Sequence, residues 1–336
     1  MSEVVFPQLT AHLGSLIAGD DRRSLTQEVI PALISAIFQI AEKLRASQHV
    51  SQVGTANAFG DDQLNVDVIA EQIIRRDIEG VSSITTASSE EDPVEKPARE
   101  GRTDQCGKET YTLAFDPLDG SSIIAPNWSV GTIIGIWDGD SALRSSPEKH
   151  LIASILGIYG PRTTAIVALR LPQLPSPACF ELGLGADATG KTTCEIIRPS
   201  IKLTLQPYKT RYFAPANLRA AAEDAAYLEL VTRFITSKYT LRYSGGLVPD
   251  VAHALTKGHG LYVSPVTEKS KAKLRKLYEL TPIALIIESA GGLALDAGSG
   301  KRILDQEIND CDERAGIICG NKDEVEDVAK AFGLSR

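Results

Sequence analysis

The chain has 336 residues, of which 43% are hydrophobic and 23% are charged, and its formal net charge at pH 7 is −8. This length and composition are typical of a globular protein with room for about two domains. The acidic balance argues against nucleic acid and anionic membranes as partners, since both require a basic face. No apolar run approaches the ~18 residues that span a bilayer, so we expect no membrane partner.

The cysteines and the first residues suggest a compartment. Five cysteines are scattered without a CxxC pair, which favours a reduced protein of the cytosol. The N-terminal residues show neither the apolar core of a signal peptide nor the Arg- and Ser-rich character of a transit peptide. We therefore expect a cytoplasmic location, and a plastid location stays open if a leader has been trimmed.

In chain order, apolar residues at helical spacing predict a helix over 24–46, with Pro31 at its first turn or at a kink. They predict a second helix over 64–78, which carries Asp67. The charged stretch 90–110, with its prolines and glycines, predicts a surface loop. Short apolar runs separated by turns then predict strands over 111–115, 131–137, 163–170, 179–184 and 193–198.

Helical patterning resumes in the C-terminal third. It predicts a helix over 217–236 and a long helix over 269–290 that Pro282 interrupts. A boundary just after residue 205 divides the chain into an N-terminal domain of residues 1–205 and a C-terminal domain of residues 206–336. Helices mixed with strands in this way predict an α/β (α+β) fold built from layers of both.

The most informative segment is Asp-Pro-Leu-Asp-Gly-Ser-Ser at 116–122, directly after the apolar run 111–115. Its two carboxylates supply the oxygen ligands that hard divalent cations such as Mg²⁺ prefer. The Gly-Ser-Ser that follows offers backbone N–H groups and hydroxyls to a phosphate. The alternative is an Asx-type turn that only caps the next element. The adjacent pair Glu90-Glu91 favours the metal site, because neighbouring carboxylates repel one another and suit a cation.

Together with Asp67 and Glu279, these residues resemble the ordered acidic set of the metal-dependent sugar and inositol phosphatases. Other segments resemble the fructose-1,6-bisphosphatase family, and within it most closely the sedoheptulose-1,7-bisphosphatases. They are Phe-Gly-Asp-Asp-Gln-Leu at 59–64, Gly-Ile-Tyr-Gly-Pro-Arg-Thr-Thr at 157–164, Phe-Ala-Pro-Ala-Asn-Leu-Arg-Ala at 213–220, Tyr-Thr-Leu-Arg-Tyr-Ser-Gly-Gly-Leu-Val-Pro-Asp at 239–250 and Lys-Ala-Lys-Leu-Arg-Lys-Leu-Tyr-Glu at 271–279. The resemblance runs from about residue 54 to residue 333 and implies the layered αβαβα sandwich of that family.

The resemblance implies a metal centre and a phosphate loop. The metal ligands would be Glu90, Asp116, Asp119, Glu279 and the carbonyl of Leu118. The groups that orient or deprotonate the attacking water would be Asp67 and Glu91, with Asp61 or Asp62. The amides that hold the 1-phosphate would be those of Gly120, Ser121 and Ser122. The implied cofactor is Mg²⁺, with about two or three ions per site and Mn²⁺ as the alternative.

The resemblance also implies a basic pocket for a second phosphate. Its residues would be Asn217, Arg219, Arg242, Tyr243 and Lys273. Arg242 would reach across a subunit interface, so the implied assembly is a homo-oligomer, most simply a homodimer. Without the resemblance, the basic run 269–276 is more simply a solvated face.

The implied activity is the Mg²⁺-dependent hydrolysis of the 1-phosphate of sedoheptulose 1,7-bisphosphate, giving sedoheptulose 7-phosphate and phosphate. A fructose-1,6-bisphosphatase, or an enzyme of dual specificity, is the alternative. The implied setting is carbon fixation (the Calvin cycle) or sugar-phosphate interconversion. Residues 50–57 contain no cysteine, where plastid sedoheptulose-1,7-bisphosphatases carry a reducible pair, so we expect no disulfide control of that kind.

A rival interpretation comes from residues 185–192, which fit the P-loop pattern GxxxxGK[ST]. A P-loop must follow a strand and open a helix. The continuation is β-branched and ends at Pro199, so we expect the tip of a hairpin instead. A nucleotide-binding module or a catalytically silent metabolite sensor is therefore the weaker alternative.

Overall fold

The structure, a computed structural model, describes residues 6–17, 21–56, 62–99 and 109–334. Of residues 53–56, 62 and 63 it describes the backbone alone. Asp61, which the sequence placed among the water-activating groups, lies outside the described residues, and the side chain of Asp62 does too.

The helices and strands follow one another along the whole described chain. The helices are α1 (Pro7–Leu16), α2 (Ile30–Ala46), α3 (Asn65–Glu79), α4 (Ser121–Ile124), α5 (Pro147–His150), α6 (Ala225–Thr236), α7 (Leu247–Lys257), α8 (Thr281–Ser289) and α9 (Lys322–Ala331). The strands are β1 (Gln52–Ala56), β2 (Asp62–Leu64), β3 (Ile84–Ser89), β4 (Lys96–Pro97), β5 (Tyr111–Asp119), β6 (Val130–Asp138), β7 (Leu151–Tyr159), β8 (Thr163–Leu169), β9 (Ala178–Ala186), β10 (Thr192–Arg198), β11 (Tyr212–Pro215), β12 (Thr240–Leu241), β13 (Leu261–Ser264), β14 (Leu274–Arg275), β15 (Leu293–Asp296), β16 (Arg314–Ala315) and β17 (Ile317–Gly320). Single π-helical turns, Leu25–Val29 and Lys276–Leu280, lead directly into α2 and α8.

Two large sheets organise the molecule. The first has the strand order β10-β9-β8-β7-β6-β5-β3-β4 and is antiparallel except between β3 and β5, which run parallel. The second has the order β12-β11-β13-β17-β15, in which β11 runs parallel to both of its neighbours. Short ladders also join β1 to β2 and β14 to β16.

Helices separate and cover these sheets in five layers. The apolar faces of α1, α2 and α3 pack on one side of the first sheet, and α7 and α8 pack on its other side. The second sheet lies against α8 and has α6 and α9 on its far face. Along β17 the side chains alternate as a strand requires, since Ile317 and Cys319 face α8 while Ile318 faces α6 and α9. The predicted αβαβα sandwich is confirmed.

Several predicted elements change their limits. The helix expected over 24–46 forms as a π-helical turn followed by α2, with Pro31 in the first turn of α2. The predicted strand 111–115 continues to Asp119, and β7 had not been predicted at all. The long helix over 269–290 is wrong in its first part. Residues 274 and 275 form a strand, and Pro282 lies in the first turn of α8, where a missing N–H costs nothing.

Neither sheet crosses residue 205, but the two halves share a core. The first sheet ends at Arg198 and the second begins at Tyr212. Helix α8 contacts strands of both sheets, so side chains from both halves form one apolar cluster. The division into domains 1–205 and 206–336 stays a prediction. Among the described residues, no helix has the length and apolar character needed to cross a membrane.

Candidate metal centre and substrate cleft

A bulge in β5 brings the two aspartates of the 116–122 segment to one side of the sheet. Asp116 pairs with Ile133 and Asp119 pairs with Gly131, so two residues of β5 stand opposite Thr132 alone. This two-against-one arrangement is a β-bulge. Residues three apart in a regular strand point to opposite faces, and the extra residue cancels that alternation. The aspartates therefore converge although their spacing in the sequence is odd.

Glu279 completes a buried acidic triad with these aspartates. One carboxylate oxygen from each of Asp116, Asp119 and Glu279 lies within 4.8 Å of the others. None of the three side chains is more than 7% exposed. Backbone amides orient each carboxylate. Leu118 N donates to Asp116 Oδ1 (2.9 Å), Val248 N donates to Asp119 Oδ2 (2.7 Å), and Arg275 N donates to Glu279 Oε2 (2.5 Å).

Burial and neighbouring negative charges oppose the ionisation of the three carboxyl groups. Burial, followed by the charge of Glu90, raises the pKa values of Asp116 and Glu279 well above their usual range. Burial raises the pKa of Asp119 to about 7, against the opposing effect of its backbone hydrogen bonds. Hard oxygen donors this close together match the preference of divalent cations such as Mg²⁺. The residues present therefore fit the metal that the sequence implied.

The pair Glu90-Glu91 lies next to the triad in a turn after β3. Ser89 N donates to the carbonyl of Asp92 (3.2 Å), and Asp92 N donates to Ser89 Oγ (3.0 Å), which closes the turn around the two glutamates. Glu90 N continues the pairing with β5 by donating to the carbonyl of Phe115 (3.0 Å). The backbone of Glu90 thus adjoins the strand that carries Asp116, and the charge of Glu90 raises the pKa values of Asp116 and Glu279.

Asp67 lies in the first turn of α3 at the edge of this acidic cluster. Its Oδ2 accepts a hydrogen bond from Leu64 N (3.0 Å), while its buried Oδ1 has no hydrogen-bond partner among the described residues. Burial and then the charges of Glu91 and Glu90 raise the pKa of Asp67 to about 7. The water-activating role expected of Asp67 and Glu91 stays a prediction.

Arg275 is a site residue that the sequence analysis missed. It is 2% exposed, its Nη1 donates to Glu90 Oε1, and its Nε lies 3.5 Å from Asp312 Oδ1. It places a positive charge inside the acidic cluster. The signal was present, because Lys273 and Arg275 share a face if the segment is extended, but the helix predicted over 269–290 concealed it.

The loop after β5 opens toward a cleft. Gly120 has a φ of +97°, a left-handed conformation that favours glycine, and Ser121 and Ser122 begin the short helix α4 as exposed residues. Leu118, expected to offer its carbonyl to the metal, has a buried side chain. Ser122 lines the adjoining cleft, so the phosphate loop and the cleft are continuous.

The cleft gathers most of the predicted substrate residues. It has a volume of about 400 Å³, and its lining includes Ser122, Asn217, Arg219, Tyr243, Tyr262, Lys271 and Lys273. The cationic side chains Arg219, Lys271 and Lys273 are exposed at its walls. A cleft of this charge suits an anionic group such as a phosphate.

Two predicted substrate residues have other contacts. Asn217, at a φ of +49°, donates from Nδ2 to the carbonyls of Pro265 (2.8 Å) and Ser270 (3.3 Å). Its amide hydrogens are used within the protein, so it holds the loop before Lys271 and Lys273 in place. Arg242 is exposed, donates to the carbonyl of Leu241 (2.8 Å), and lies 5.8 Å from the Tyr212 ring centre. Among the described residues, Arg242 lines a different cavity from the cleft.

The P-loop pattern is a hairpin, as predicted. Residues 185–192 comprise the end of β9, the turn 187–191 and the first residue of β10, so a strand rather than a helix follows the turn. Asp187 Oδ1 accepts hydrogen bonds from the backbone of Thr189 (2.8 Å) and Lys191 (3.0 Å), which closes the tip. Lys191 thus belongs to an exposed turn.

Comparison with known proteins extends over nearly the whole chain. Residues 17–172 match the fructose-1,6-bisphosphatase N-terminal domain, and residues 206–333 match its C-terminal domain. The chloroplastic sedoheptulose-1,7-bisphosphatase of Chlamydomonas reinhardtii is 38% identical over 301 residues, which cover 89% of this chain and 71% of that protein. The class 1 fructose-1,6-bisphosphatase of Trichlorobacter lovleyi is 33% identical, covering 93% of both chains.

Solved structures of two related proteins have the same overall fold as this chain. A candidate sedoheptulose-1,7-bisphosphatase from Toxoplasma gondii superposes with a TM-score of 0.82 at 33% identity, covering 98% of this chain and 100% of that one. The holo form of Leishmania major fructose-1,6-bisphosphatase gives a TM-score of 0.79 at 25% identity, with the same coverage.

Proposed function

Because the chain belongs to the fructose-1,6-bisphosphatase family, we propose that it hydrolyses the 1-phosphate of sedoheptulose 1,7-bisphosphate, giving sedoheptulose 7-phosphate and inorganic phosphate. The observation that carries the proposal is the buried triad Asp116, Asp119 and Glu279, next to a cleft walled by Arg219 and Lys273. The triad suits phosphate chemistry with a divalent cation, and the cleft suits a second phosphate. The similarity to sedoheptulose-1,7-bisphosphatases supports the seven-carbon substrate.

We propose Mg²⁺ as the cofactor, with Mn²⁺ as the alternative ion. Asp116, Asp119 and Glu279 would hold it, with Glu90 and the carbonyl of Leu118 as further ligands. When bound, such a cation makes a water more acidic and offsets the charge of the transferring phosphoryl group. The amides of Gly120, Ser121 and Ser122 would orient the 1-phosphate at the edge of the cleft.

Asp67 is the proposed base for the attacking water. Its Oδ1 is free of hydrogen bonds from the described residues, and a pKa of about 7 lets it take a proton near neutral pH. Glu91 would assist by its charge, and Asp61 or Asp62 would contribute from the adjacent segment. As the water oxygen bonds to phosphorus, the bond between phosphorus and the sugar O1 breaks, and one proton of the water passes to Asp67 Oδ1. The sugar O1 leaves as an alkoxide that takes a proton from solvent, and Asp67 returns its proton to solvent. Arg275 would stabilise negative charge beside Glu90.

The distal phosphate would be held by Arg219, Lys273 and Tyr243. These side chains can bind the distal phosphate from different walls of the cleft. The sugar would then lie between the two phosphate sites. Asn217 would act through the loop that it holds, because its amide hydrogens are used on Pro265 and Ser270.

A fructose-1,6-bisphosphatase, or an enzyme acting on both sugars, is the second candidate. The 33% identity with a class 1 fructose-1,6-bisphosphatase over 93% of both chains supports it.

We also propose a homodimer, two domains divided after residue 205, a cytoplasmic location, and a role in carbon fixation or sugar-phosphate interconversion. The missing cysteine pair in 50–57 supports an enzyme without plastid-type disulfide control.

The test is phosphate release from both bisphosphates, after EDTA treatment and with Mg²⁺ restored. We expect release only with Mg²⁺ and a higher kcat/KM for sedoheptulose 1,7-bisphosphate. A higher kcat/KM for fructose 1,6-bisphosphate would favour the second candidate. If neither substrate releases phosphate with Mg²⁺ or Mn²⁺, the proposed function is wrong.

A further inference from the structure

Two buried hydroxyl groups stand directly behind the bulge in β5. Thr132, the residue of β6 that faces the bulge, is fully buried, and its Oγ1 donates to the carbonyl of Pro117 (2.8 Å). The hydroxyl of Tyr159, on β7, lies 2.6 Å from the same Thr132 Oγ1. A carbonyl can only accept, so the single proton of Thr132 goes to Pro117, and Tyr159 must be the donor to Thr132. The hydroxyls form a directed chain that ends on the bulge.

The position of that carbonyl matters, because Pro117 and Leu118 are the two residues that separate Asp116 from Asp119. A regular strand would place these aspartates on opposite faces, so the triad exists only while the bulge keeps its shape. Bulged residues lack the regular ladder that fixes a strand. A side-chain hydrogen bond to the bulge therefore supplies a constraint that the ladder does not.

We propose that Thr132 and Tyr159 are positioning residues of the metal centre. Their hydroxyl chain fixes the Pro117–Leu118 bulge, and the bulge sets the separation of the Asp116 and Asp119 carboxylates that a divalent cation requires. The inference rests on the proposed function for its effect on turnover. Its effect on metal binding can be measured without substrate.

The competing view is that these hydroxyls only stabilise the sheet. The chain offers a matched control, because Thr112 is also a fully buried threonine of this sheet. Its Oγ1 donates to the carbonyl of Gly139 (2.9 Å), at the end of β5 away from the bulge. Thr112→Val and Thr132→Val each remove one buried hydroxyl and leave one carbonyl without that donor, and Thr132→Val also leaves the Tyr159 hydroxyl without its acceptor. A purely structural role predicts a lower unfolding temperature in both variants and an unchanged Mn²⁺ affinity in both.

The primary experiment measures Mn²⁺ binding by titration calorimetry without substrate, together with the thermal unfolding temperature. We expect Thr132→Val to weaken Mn²⁺ binding about tenfold, the size expected when one buried carbonyl loses its partner. Thr132→Ser, which keeps the hydroxyl, should restore binding to within about twofold of the wild type. Thr112→Val should also lower the unfolding temperature but leave Mn²⁺ affinity within about twofold. Equal Mn²⁺ affinities in the two valine variants would overturn the proposal.

A second pair of variants covers the case in which Thr132→Val does not fold. Tyr159→Phe removes only the outer hydroxyl, and we expect it to weaken Mn²⁺ binding about threefold. Its control is Tyr227→Phe, since Tyr227 is a fully buried tyrosine whose hydroxyl donates to the carbonyl of Ala216 (2.8 Å). Unchanged Mn²⁺ affinity in Tyr159→Phe, relative to Tyr227→Phe, would refute the positioning role.

Turnover separates this proposal from the proposed function. If the wild type binds Mn²⁺ but releases no phosphate from either bisphosphate, the proposed function fails while the effect of Thr132→Val on Mn²⁺ binding still decides the positioning role. If turnover is normal in the wild type, Thr132→Val should raise the Mg²⁺ concentration for half-maximal activity about tenfold. The KM for the bisphosphate, measured at saturating Mg²⁺, should stay nearly unchanged.

Discussion

The candidate metal centre and the distal cleft differ in how far their side chains are buried and fixed by hydrogen bonds. Asp116, Asp119 and Glu279 are at most 7% exposed, and backbone amides from three different segments fix their carboxylates. In the cleft, Arg219 and Lys273 are long, exposed side chains, and Tyr243 is 42% exposed. The first region is preorganised by the fold, while the second can adapt to its ligand.

This difference predicts different kinetic consequences. A rigid acidic centre serves the chemical step, so its disruption should lower kcat and metal affinity. In the proposed function the exposed cationic wall would bind the unreactive end of the substrate, so its loss should mainly raise KM. Each variant below tests whether the two regions are as separate as the structure indicates.

The largest effect is expected from Asp119→Asn. Removal of one charge from the triad should lower Mg²⁺-dependent kcat by roughly 1,000-fold or more. The unfolding temperature in EDTA should change little, because relief of repulsion in the buried cluster offsets the loss of one of the two hydrogen bonds that Asp119 accepts from Leu247 N and Val248 N. Asp296→Asn is the control, since Asp296 is a buried aspartate that accepts hydrogen bonds from Gly298 N and Ser299 N, both 2.9 Å, in another part of the chain. Near-normal activity in Asp119→Asn would contradict the metal assignment.

Gly131→Ala should have the next largest effect. A methyl group there would lie 2.3 Å from Val248 Cγ1 and 2.7 Å from the carbonyl oxygen of Gly157. Helix α7 would have to move, and Val248 N would lose its hydrogen bond to Asp119. Displacement of a catalytic group by about 1 Å lowers rates by roughly 100-fold, which is the expected fall in kcat.

The control for this substitution lies in the same sheet. At Gly183 an added methyl group would meet only Ile197 side-chain atoms, at 3.7 Å or more. Gly183→Ala should therefore keep wild-type kcat. If both variants lose the same activity, the close approach of α7 does not position Asp119.

Thermal stability should depend on pH in opposite ways without and with metal. The pKa values of Asp67 and Asp119 are raised to about 7 in the folded protein, against roughly 4 in an unfolded chain. The folded state therefore binds more protons between those values. Without metal, the stability that these groups contribute is present below pH 4 and is lost as the pH rises to 7.

A bound cation should reverse that loss, because it compensates the ionised carboxylates. The rise in unfolding temperature caused by Mg²⁺, measured by calorimetry against EDTA, should be about 3–6 °C larger at pH 8 than at pH 5. In Asp119→Asn this difference should shrink. A rise that does not change with pH would show that the acidic cluster is not the principal metal site.

Three of the acidic residues that the sequence proposed as metal ligands lie together in the structure, and their role as ligands stays a prediction. The segment 116–122, Glu90 and Asp67 were identifiable because their residue types and order have a chemical meaning. The bulge was not predictable, because Pro117 indicates the end of a strand, and only pairing with β6 shows that β5 continues to Asp119. The layered fold followed from local patterns, since its helices and strands each have an apolar face.

Arg275 and Asn217 show why the rest was missed. Apolar residues at 274, 277 and 280 fit a helix as well as a strand followed by a π-helical turn, so the pattern could not place Arg275 beside Glu90. Asn217 has the chemistry of a phosphate ligand. Its partners, the carbonyls of Pro265 and Ser270, lie about 50 residues away in the chain and become neighbours only through folding.

In the cleft, Arg219→Ala should raise the KM for sedoheptulose 1,7-bisphosphate about tenfold and leave kcat within about twofold, because a charged hydrogen bond to the distal phosphate is lost. The KM for sedoheptulose 1-phosphate, which lacks that phosphate, should not change. Steady-state kinetics with both substrates decide the matter. A fall in kcat with unchanged KM would mean that Arg219 serves the metal centre instead.

The smallest effect is expected from Arg242→Ala, with a rise of about threefold in the KM for the bisphosphate. Within one subunit Arg242 lies over Tyr212 and outside the cleft lining. We therefore expect it to act in the cleft of a neighbouring subunit. Hybrid dimers test this expectation. One subunit carries Arg242→Ala and the other carries Asp119→Asn, and two different tags allow the hybrids to be purified after co-expression. Each hybrid then has one working metal centre, and the intact Arg242 lies on the other subunit. Such hybrids should recover the wild-type KM at about half the wild-type kcat per dimer. If they keep the raised KM of Arg242→Ala, the arginine acts within its own subunit, and the two regions belong to a single chain.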